Sequence, residues 1–264
     1  MTAATVRAMS NKVPLVTVAF WIIKILATTV GETGADYLNF NVGLGLALTA
    51  AVMTVVLIAV LALQFRQSRY VPWIYWLVVV FLSIVGTLIT DLMTDDLGVS
   101  LYVSTAVFLI ALIVTFLTWH RSEHTLSIHA IDTRSREAFY WAAILFTFAL
   151  GTAAGDLLSE QIGLGYAKSG LIFGGGIALI TLGYFAKALG PVLAFWLAYI
   201  LTRPLGASLG DFLTQAPKVG GLGLSTTLVS SIFVALILLL VTYLTVTGKD
   251  RLPGESATGS MAAR

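Results

Sequence analysis

Cysteine is absent from the 264 residues. Disulfides, thiolate metal sites and thiol catalysis are therefore excluded. Charge is scarce: Asp, Glu, Lys and Arg together make up 11% of the chain, against roughly 25% in a soluble domain. The formal charge is only +2, so nothing suggests a nucleic-acid partner. There is no Ser-His-Asp arrangement, no phosphate-binding loop and no His-Glu-x-x-His zinc motif. An enzymatic reading has no anchor, and the chain is not expected to be an enzyme.

What the chain has in abundance is apolar sequence. Hydrophobic residues make up 58% and the mean hydropathy is +0.94. Apolar runs of about 20 residues recur, each long enough to cross a ~30 Å hydrocarbon layer. Eight spans are expected, at about 13–35, 43–64, 71–92, 99–119, 138–157, 166–186, 189–211 and 224–246. Backbone groups in lipid must be satisfied internally, so such spans must be helices. The expected fold is an all-α, polytopic membrane bundle.

The spans are copies of one unit. A Trp is followed ten residues later by Gly and five after that by Asp: Trp21–Gly31–Asp36, Trp76–Gly86–Asp91, Trp141–Gly151–Asp156 and Trp196–Gly206–Asp211. An aromatic precedes each Trp, at Phe20, Tyr75, Tyr140 and Phe195. The glycines are 55, 65 and 55 residues apart, and the extra ten fall in the central connection HRSEHTLSIHAIDTRSRE. The expected organisation is an N-terminal segment 1–12, a first half 13–119, a linker 120–137, a second half 138–246 and a disordered tail 247–264. His120, His124 and His129 in that linker, with Glu123 and Asp132, are expected to be solvated, a metal site being the alternative.

Basic residues set an orientation. Arg7, Lys12, Arg66, Arg69, Arg121, Arg134, Arg136, Lys187, Lys249, Arg251 and Arg264 fall on one side, and only Lys168 and Lys218 on the other. Both termini are thus expected in the cytoplasm. Each unit has an even number of spans, so the units re-enter in the same sense, as parallel repeats. All four Asp then share one depth on the outer side. If the units close around an axis, Asp36, Asp91, Asp156 and Asp211 form a ring that attracts cations. Alternatively, each Asp merely marks the end of a span.

Gly31, Gly86, Gly151 and Gly206 suit close helix packing. Trp21, Trp76, Trp141 and Trp196 lie ~22 Å along the helix from their acids. An interfacial aromatic belt is the simpler expectation for them, with packing at the centre of the bundle as the alternative. Two cations and one further acid lie within spans: Lys24, Arg203 and Glu32. Such residues cost several kcal/mol (~3 or more) unless paired. Glu32 stands where the other copies have Thr87, Thr152 and Ala207; Arg203 stands where they have Thr28, Ser83 and Phe148. Spans 1 and 7 are expected to meet, with Arg203 pairing with Glu32 or Asp36. Lys24 and Glu32 share a face but stand ~12 Å apart.

The segments 21–39 (WIIKILATTVGETGADYLN), 128–156 (IHAIDTRSREAFYWAAILFTFALGTAAGD) and 193–213 (LAFWLAYILTRPLGASLGDFL) resemble an uncharacterised family of bacterial multi-span membrane proteins, usually labelled as membrane-anchored and of unknown function. The resemblance covers nearly all of 12–246. It implies the bacterial inner membrane as location and supplies no activity.

The leading expectation is a transporter or exchanger of a small cation, with Glu32 and the four Asp binding through oxygen. Oxygen ligands without Cys favour hard ions such as Mn²⁺, Mg²⁺, Ca²⁺ or Na⁺, or protons. The alternatives are a non-transporting scaffold or sensor partner, and a cation pore along the axis. The sequence requires no cofactor, and it leaves the oligomeric state open.

Overall fold

The computed structural model describes residues 10–251. Among them all regular structure is helical. The eight long helices are α1 Val18–Asp36, α2 Leu46–Arg66, α3 Pro72–Asp91, α4 Leu101–Glu123, α5 Arg134–Asp156, α6 Tyr166–Phe185, α7 Pro191–Thr214 and α8 Thr226–Thr247. All eight are long and apolar enough to cross a membrane.

Local chemistry fixes most of the ends. Thr17, Ser100, Thr133 and Ser225 each accept a hydrogen bond from a backbone N–H in the first turn, at 3.2–3.4 Å, satisfying an orphan donor. Pro72 and Pro191 occupy first turns, where a missing N–H costs nothing. Beyond their acids, α1, α3 and α5 widen into one π turn each, at Tyr37–Asn41, Leu92–Asp96 and Leu157–Gln161. The connection then reverses at glycines of positive φ, such as Gly43 (76°) and Gly45 (74°), a conformation with no Cβ penalty for Gly.

The odd helices are the inside of the molecule. They form a closed square in which α1 packs on α3, α3 on α5, α5 on α7, and α7 back on α1. The even helices lie outside it. Each packs chiefly on the inner helix that follows it in sequence, α2 on α3, α4 on α5 and α6 on α7, and α8 returns to α1. Their outward faces, including Val55 and Ile58 on α2, Ile110 on α4, Leu179 on α6 and Leu239 on α8, are exposed apolar surface suited to lipid.

One end of the square carries the four acids and is called the acid face. The opposite end carries segment 10–17, the central loop and the end of α8, and is called the terminal face. Its order exceeds the expectation from sequence. The linker expected at 120–137 is shortened, because α4 runs to Glu123 and α5 begins at Arg134. Arg136 bonds Glu123 (2.9 Å) and Asp132 (2.8 Å), so the loop's acids hold the loop together. The tail expected to be disordered from 247 is ordered at its start. Gly248 closes α8 in the left-handed conformation, Leu15 N donates to the Asp250 carbonyl (2.9 Å), and Tyr70 donates to the Asp250 carboxylate (2.6 Å). Residues 252–264, and Arg7 and Arg264 of the basic tally, lie outside the described residues.

Lys12, the last residue of the expected cytoplasmic N-terminal segment, is drawn into the body of the molecule. It is buried and forms an ion pair of 2.5 Å with Glu137, whose other oxygen accepts from Gln64 at 3.0 Å. Long-range pairing of two residues that composition assigns to loops overrides their hydrophilicity.

Candidate functional site

The inner square is held together by its glycines. A methyl built on Gly31 would come within 2.5 Å of Ser83 Cβ; on Gly86, 2.6 Å from Phe148 Cβ; on Gly151, 2.5 Å from Arg203 Cβ; on Gly206, 2.6 Å from Thr28 Cβ. Ser83, Phe148, Arg203 and Thr28 are equivalent positions of the repeat, three residues before each glycine. Every unit therefore repeats one contact with the next, and the fourth makes it with the first. This closes the four units around a common axis. No side chain fits at these crossings, and the inner helices approach each other at backbone distance.

Closure sets what meets on the axis. One residue beyond the glycines stand Glu32, Thr87, Thr152 and Ala207. The Arg203 guanidinium lies among the first three. Its Nη2 donates to Glu32 Oε2 at 2.7 Å, to Thr152 Oγ1 at 2.7 Å and to Thr87 Oγ1, and its Nη1 donates to the Thr28 carbonyl at 3.4 Å. Arg203 is fully buried and Glu32 nearly so. Spans 1 and 7 thus meet, and of the two acids considered for Arg203 it is Glu32 that pairs. Sequence alone gives Thr87 and Thr152 no role beyond occupying the repeat position of Glu32. Their register, one after the glycine, was the available signal.

One turn nearer the acid face lies the ring. Asp36 and Asp91, Asp91 and Asp156, Asp156 and Asp211, and Asp211 and Asp36 are each within Coulombic reach of one another. Glu32 is within reach of all four. Asp211 is buried and the other three are half-buried, so the ring is partly open. Five carboxylates thus lie toward the acid face of the square, and one of them, Glu32, meets the Arg203 guanidinium. Among the described residues, however, no three His, Asp or Glu lie close enough together to hold a metal ion.

On the other side of Arg203 the axis closes. Lys24 is fully buried and has no carboxylate partner. Its Nζ lies 4.0 Å from the centre of the Phe148 ring and 4.2 Å from that of Tyr199, within reach of the cation–π attraction. Of the two intramembrane cations, only Arg203 forms an ion pair. Beyond Lys24 the aromatics of the repeat fill the square. Phe20 lies 5.5 Å from Trp76 and 6.0 Å from Phe195; Tyr75 lies 5.4 Å from Trp141; Tyr140 lies 6.1 Å from Trp196. Trp76, Trp141 and Trp196 are buried and Trp21 is half-buried. The expectation of an interfacial belt is therefore replaced by a plug, because the inner helices turn this face toward one another and not toward lipid headgroups.

Fold and site define a class: a multi-pass, all-helical membrane protein made of four parallel repeats closed into a ring. The chain belongs to the family described as Repeat of Unknown Function (DUF347), whose model matches residues 19–70, 74–125, 139–188 and 194–250. No curated protein and no solved structure matches the chain. Each family match begins at an inner helix and ends after the outer helix that follows.

Proposed function

We propose that this protein is a transporter or exchanger of a small cation, taken up at the acid face by Asp36, Asp91, Asp156 and Asp211 with Glu32 beneath them. The observation that carries the reading is the cyclic glycine contact, which brings four acids from four distant segments around one axis. The separation of the acids favours an ion that keeps part of its water shell, or a monovalent ion such as Na⁺ or H⁺, over a stripped divalent ion. Arg203 occupies the floor of the cup, so passage requires the Glu32–Arg203 pair to open. The aromatic plug argues against a standing pore, and no enzymatic step is assigned. The excess of basic residues at the terminal face supports a cytoplasmic position for that face, and the resemblance of the segments supports a bacterial inner membrane.

A second reading has one observation in its favour. Arg203 ties α7 to α1, α3 and α5 at once, as a purely structural lock would in a scaffold. Vesicle flux separates the two. Asp156→Asn and Asp211→Asn should abolish cation uptake while the protein remains folded and inserted. Unchanged flux in both would end the transport reading; loss of thermal stability with no flux in the wild type would favour the scaffold.

A further inference from the structure

One seam of the inner square stays open on its lipid side. Between α1 and α7, in the half nearer the terminal face, lies a groove of about 660 Å³. Its α1 wall is Val18, Trp21 and Ile25, its floor on α7 includes Phe195, Ala198 and Thr202, and its far wall is the second half of α6. The seam between α1 and α3 has the same construction one unit further on. There Trp73, Trp76 and Val80 hold the repeat positions of Val18, Trp21 and Ile25, and the cavity is only about 120 Å³.

The outer helices make the difference. On α8, Ile237, Leu238 and Val241 close the α1–α3 seam, and Ile237 and Val241 are buried. Ile180, Thr181 and Tyr184 of α6 recur at the same intervals in the larger groove, but there Tyr184 is 45% exposed. α6 turns glycines toward α7: a methyl on Gly176 would come 2.9 Å from Leu201 Cδ1, and one on Gly174 3.8 Å from Leu205 Cδ1. Small residues let a helix settle onto its neighbour in lipid, so α6 leans on α7 and leaves the α1 side uncovered. α8 has no glycine between Thr226 and Thr247, and it packs on both α1 and α3.

We infer that this groove binds an anionic phospholipid, with one acyl chain along Trp21 and Ile25 and the phosphate at the terminal-face end. The volume lies within the range of small-ligand sites, about 300–1,000 Å³. The lining is apolar along the groove, and polar groups gather at its terminal end, at Thr17, Ser127, His129 and Tyr184. The connection after α6 forms the same rim and carries Lys187, exposed and set between the lining residues Phe185 and Pro191. The charge of this face suits an anion. Among the described residues its carboxylates are engaged, Glu123 and Asp132 by Arg136, Glu137 by Lys12 and Asp250 by Tyr70, while Lys187, Arg121 and Arg134 form no ion pair. Cations close to the membrane surface strengthen the binding of anionic lipid. A second transmembrane helix fits less well. The loop 126–129 borders the terminal end of the groove and is held on α7 by a 2.9 Å bond from Trp196 Nε1 to the Leu126 carbonyl. A lipid ends at that level, whereas a helix leaving the bilayer would meet the loop. The bound chain lies against Thr202, whose carbonyl accepts from Thr28 across the α1–α7 seam at 3.3 Å. Occupancy thus braces the crossing that closes the ring, whether or not a cation enters at the acid face.

The test is tryptophan quenching by phosphatidylglycerol with dibrominated acyl chains, titrated into delipidated full-length protein in detergent. Trp21 borders the groove, so emission should fall to a plateau, and Trp21→Phe should remove that component. Phosphatidylcholine with the same chains should need at least about fivefold more lipid. Lys187→Gln should weaken phosphatidylglycerol by about fivefold, the effect of one cation near the surface. The double change Ile177→Phe/Thr181→Phe, which narrows the groove from α6, should abolish the component. Leu179→Phe, on the outward face of α6, should leave it unchanged. Melting in detergent confirms that each variant is folded, and phosphatidylglycerol should raise the melting temperature of wild type but not of the double variant. Lys187→Gln, on an exposed connection, carries the test if the double variant fails to fold. The site is overturned by wild type without saturable quenching, by equal quenching with the two headgroups, or by an unchanged plateau in the folded double variant. Dibrominated stearic acid binding as tightly as the phospholipid assigns the groove to a free fatty acid, and a dimeric mass without quenching assigns it to a second copy of the chain; either result also overturns the phospholipid.

Discussion

Arg203 is a single residue with four partners on three other helices, and its environment makes a sharp prediction. Lys cannot reproduce its fork, because an ammonium presents a point charge where the guanidinium serves Glu32, Thr87 and Thr152 together. Arg203→Lys should lower the melting temperature in detergent, and Arg203→Ala should lower it further by leaving Glu32 buried without a counter-charge, a loss of ~3–5 kcal/mol. Glu32→Gln in the Arg203→Ala background should recover part of that loss. Asp250 yields a pH prediction. Burial raises its carboxyl above the usual range, against the Tyr70 hydrogen bond, which lowers it. A raised acid favours the folded state while protonated, so its contribution is complete below the ordinary Asp range and fades as pH rises through the folded value. Asp250→Asn, which stays neutral and still accepts from Tyr70, should therefore melt above the wild type at pH 8, with the gap closing below about pH 4. The pairing of Arg203 with Glu32 was legible in the sequence because each breaks the repeat once. The burial of Lys12, Glu137 and Asp250 was not, since nothing local distinguishes a polar residue paired across 125 or 180 positions from one in water.

At the scale of elements, the glycine crossings carry the packing of the inner helices. Gly86→Val would force a branched side chain into the space of Phe148 and the backbone beside it. Overpacking commonly costs ~1–3 kcal/mol, and here the obstacle includes main chain, so loss of folded protein is expected, read as aggregation in size-exclusion chromatography. The conserved spacing of Trp, Gly and Asp within the chain gave both the repeat and these contacts. It did not distinguish a plug from a belt, because an aromatic about three turns from a glycine serves equally well against lipid headgroups or against three other helices. Only the rotation of the inner helices decides, and that follows from the glycine contacts in three dimensions. At the terminal face, the Lys12–Glu137 pair ties the segment before α1 to α5. Lys12→Met should destabilise by ~3–5 kcal/mol, and the double change Lys12→Met/Glu137→Leu should restore most of it.

For the whole molecule the decisive property is closure. Ser230 on α8 donates to Thr33 on α1 at 2.8 Å, 197 positions apart. The chain has no cysteine of its own, so Ser230→Cys with Thr33→Cys gives a clean probe. Oxidation should join the two helices within one molecule and shift its mobility on a denaturing gel, and a chain whose units splay open would not cross-link. Eight spans and four units were readable from composition and spacing. The square arrangement was not, because pairing between α1 and α7 leaves no trace in local sequence apart from Glu32 and Arg203.

Each outer helix leans on the inner helix of the following unit, and α8 leans on α1. During insertion from the ribosome, α1 must then wait in the bilayer without its cover until nearly every other segment has been threaded. The inner side of that helix, with Lys24 and Glu32, likewise waits until α7 brings Arg203 and closes the square. A ribosome that stalls before α7 therefore leaves an open square in which Glu32 lacks its counter-charge, a state that quality control can recognise.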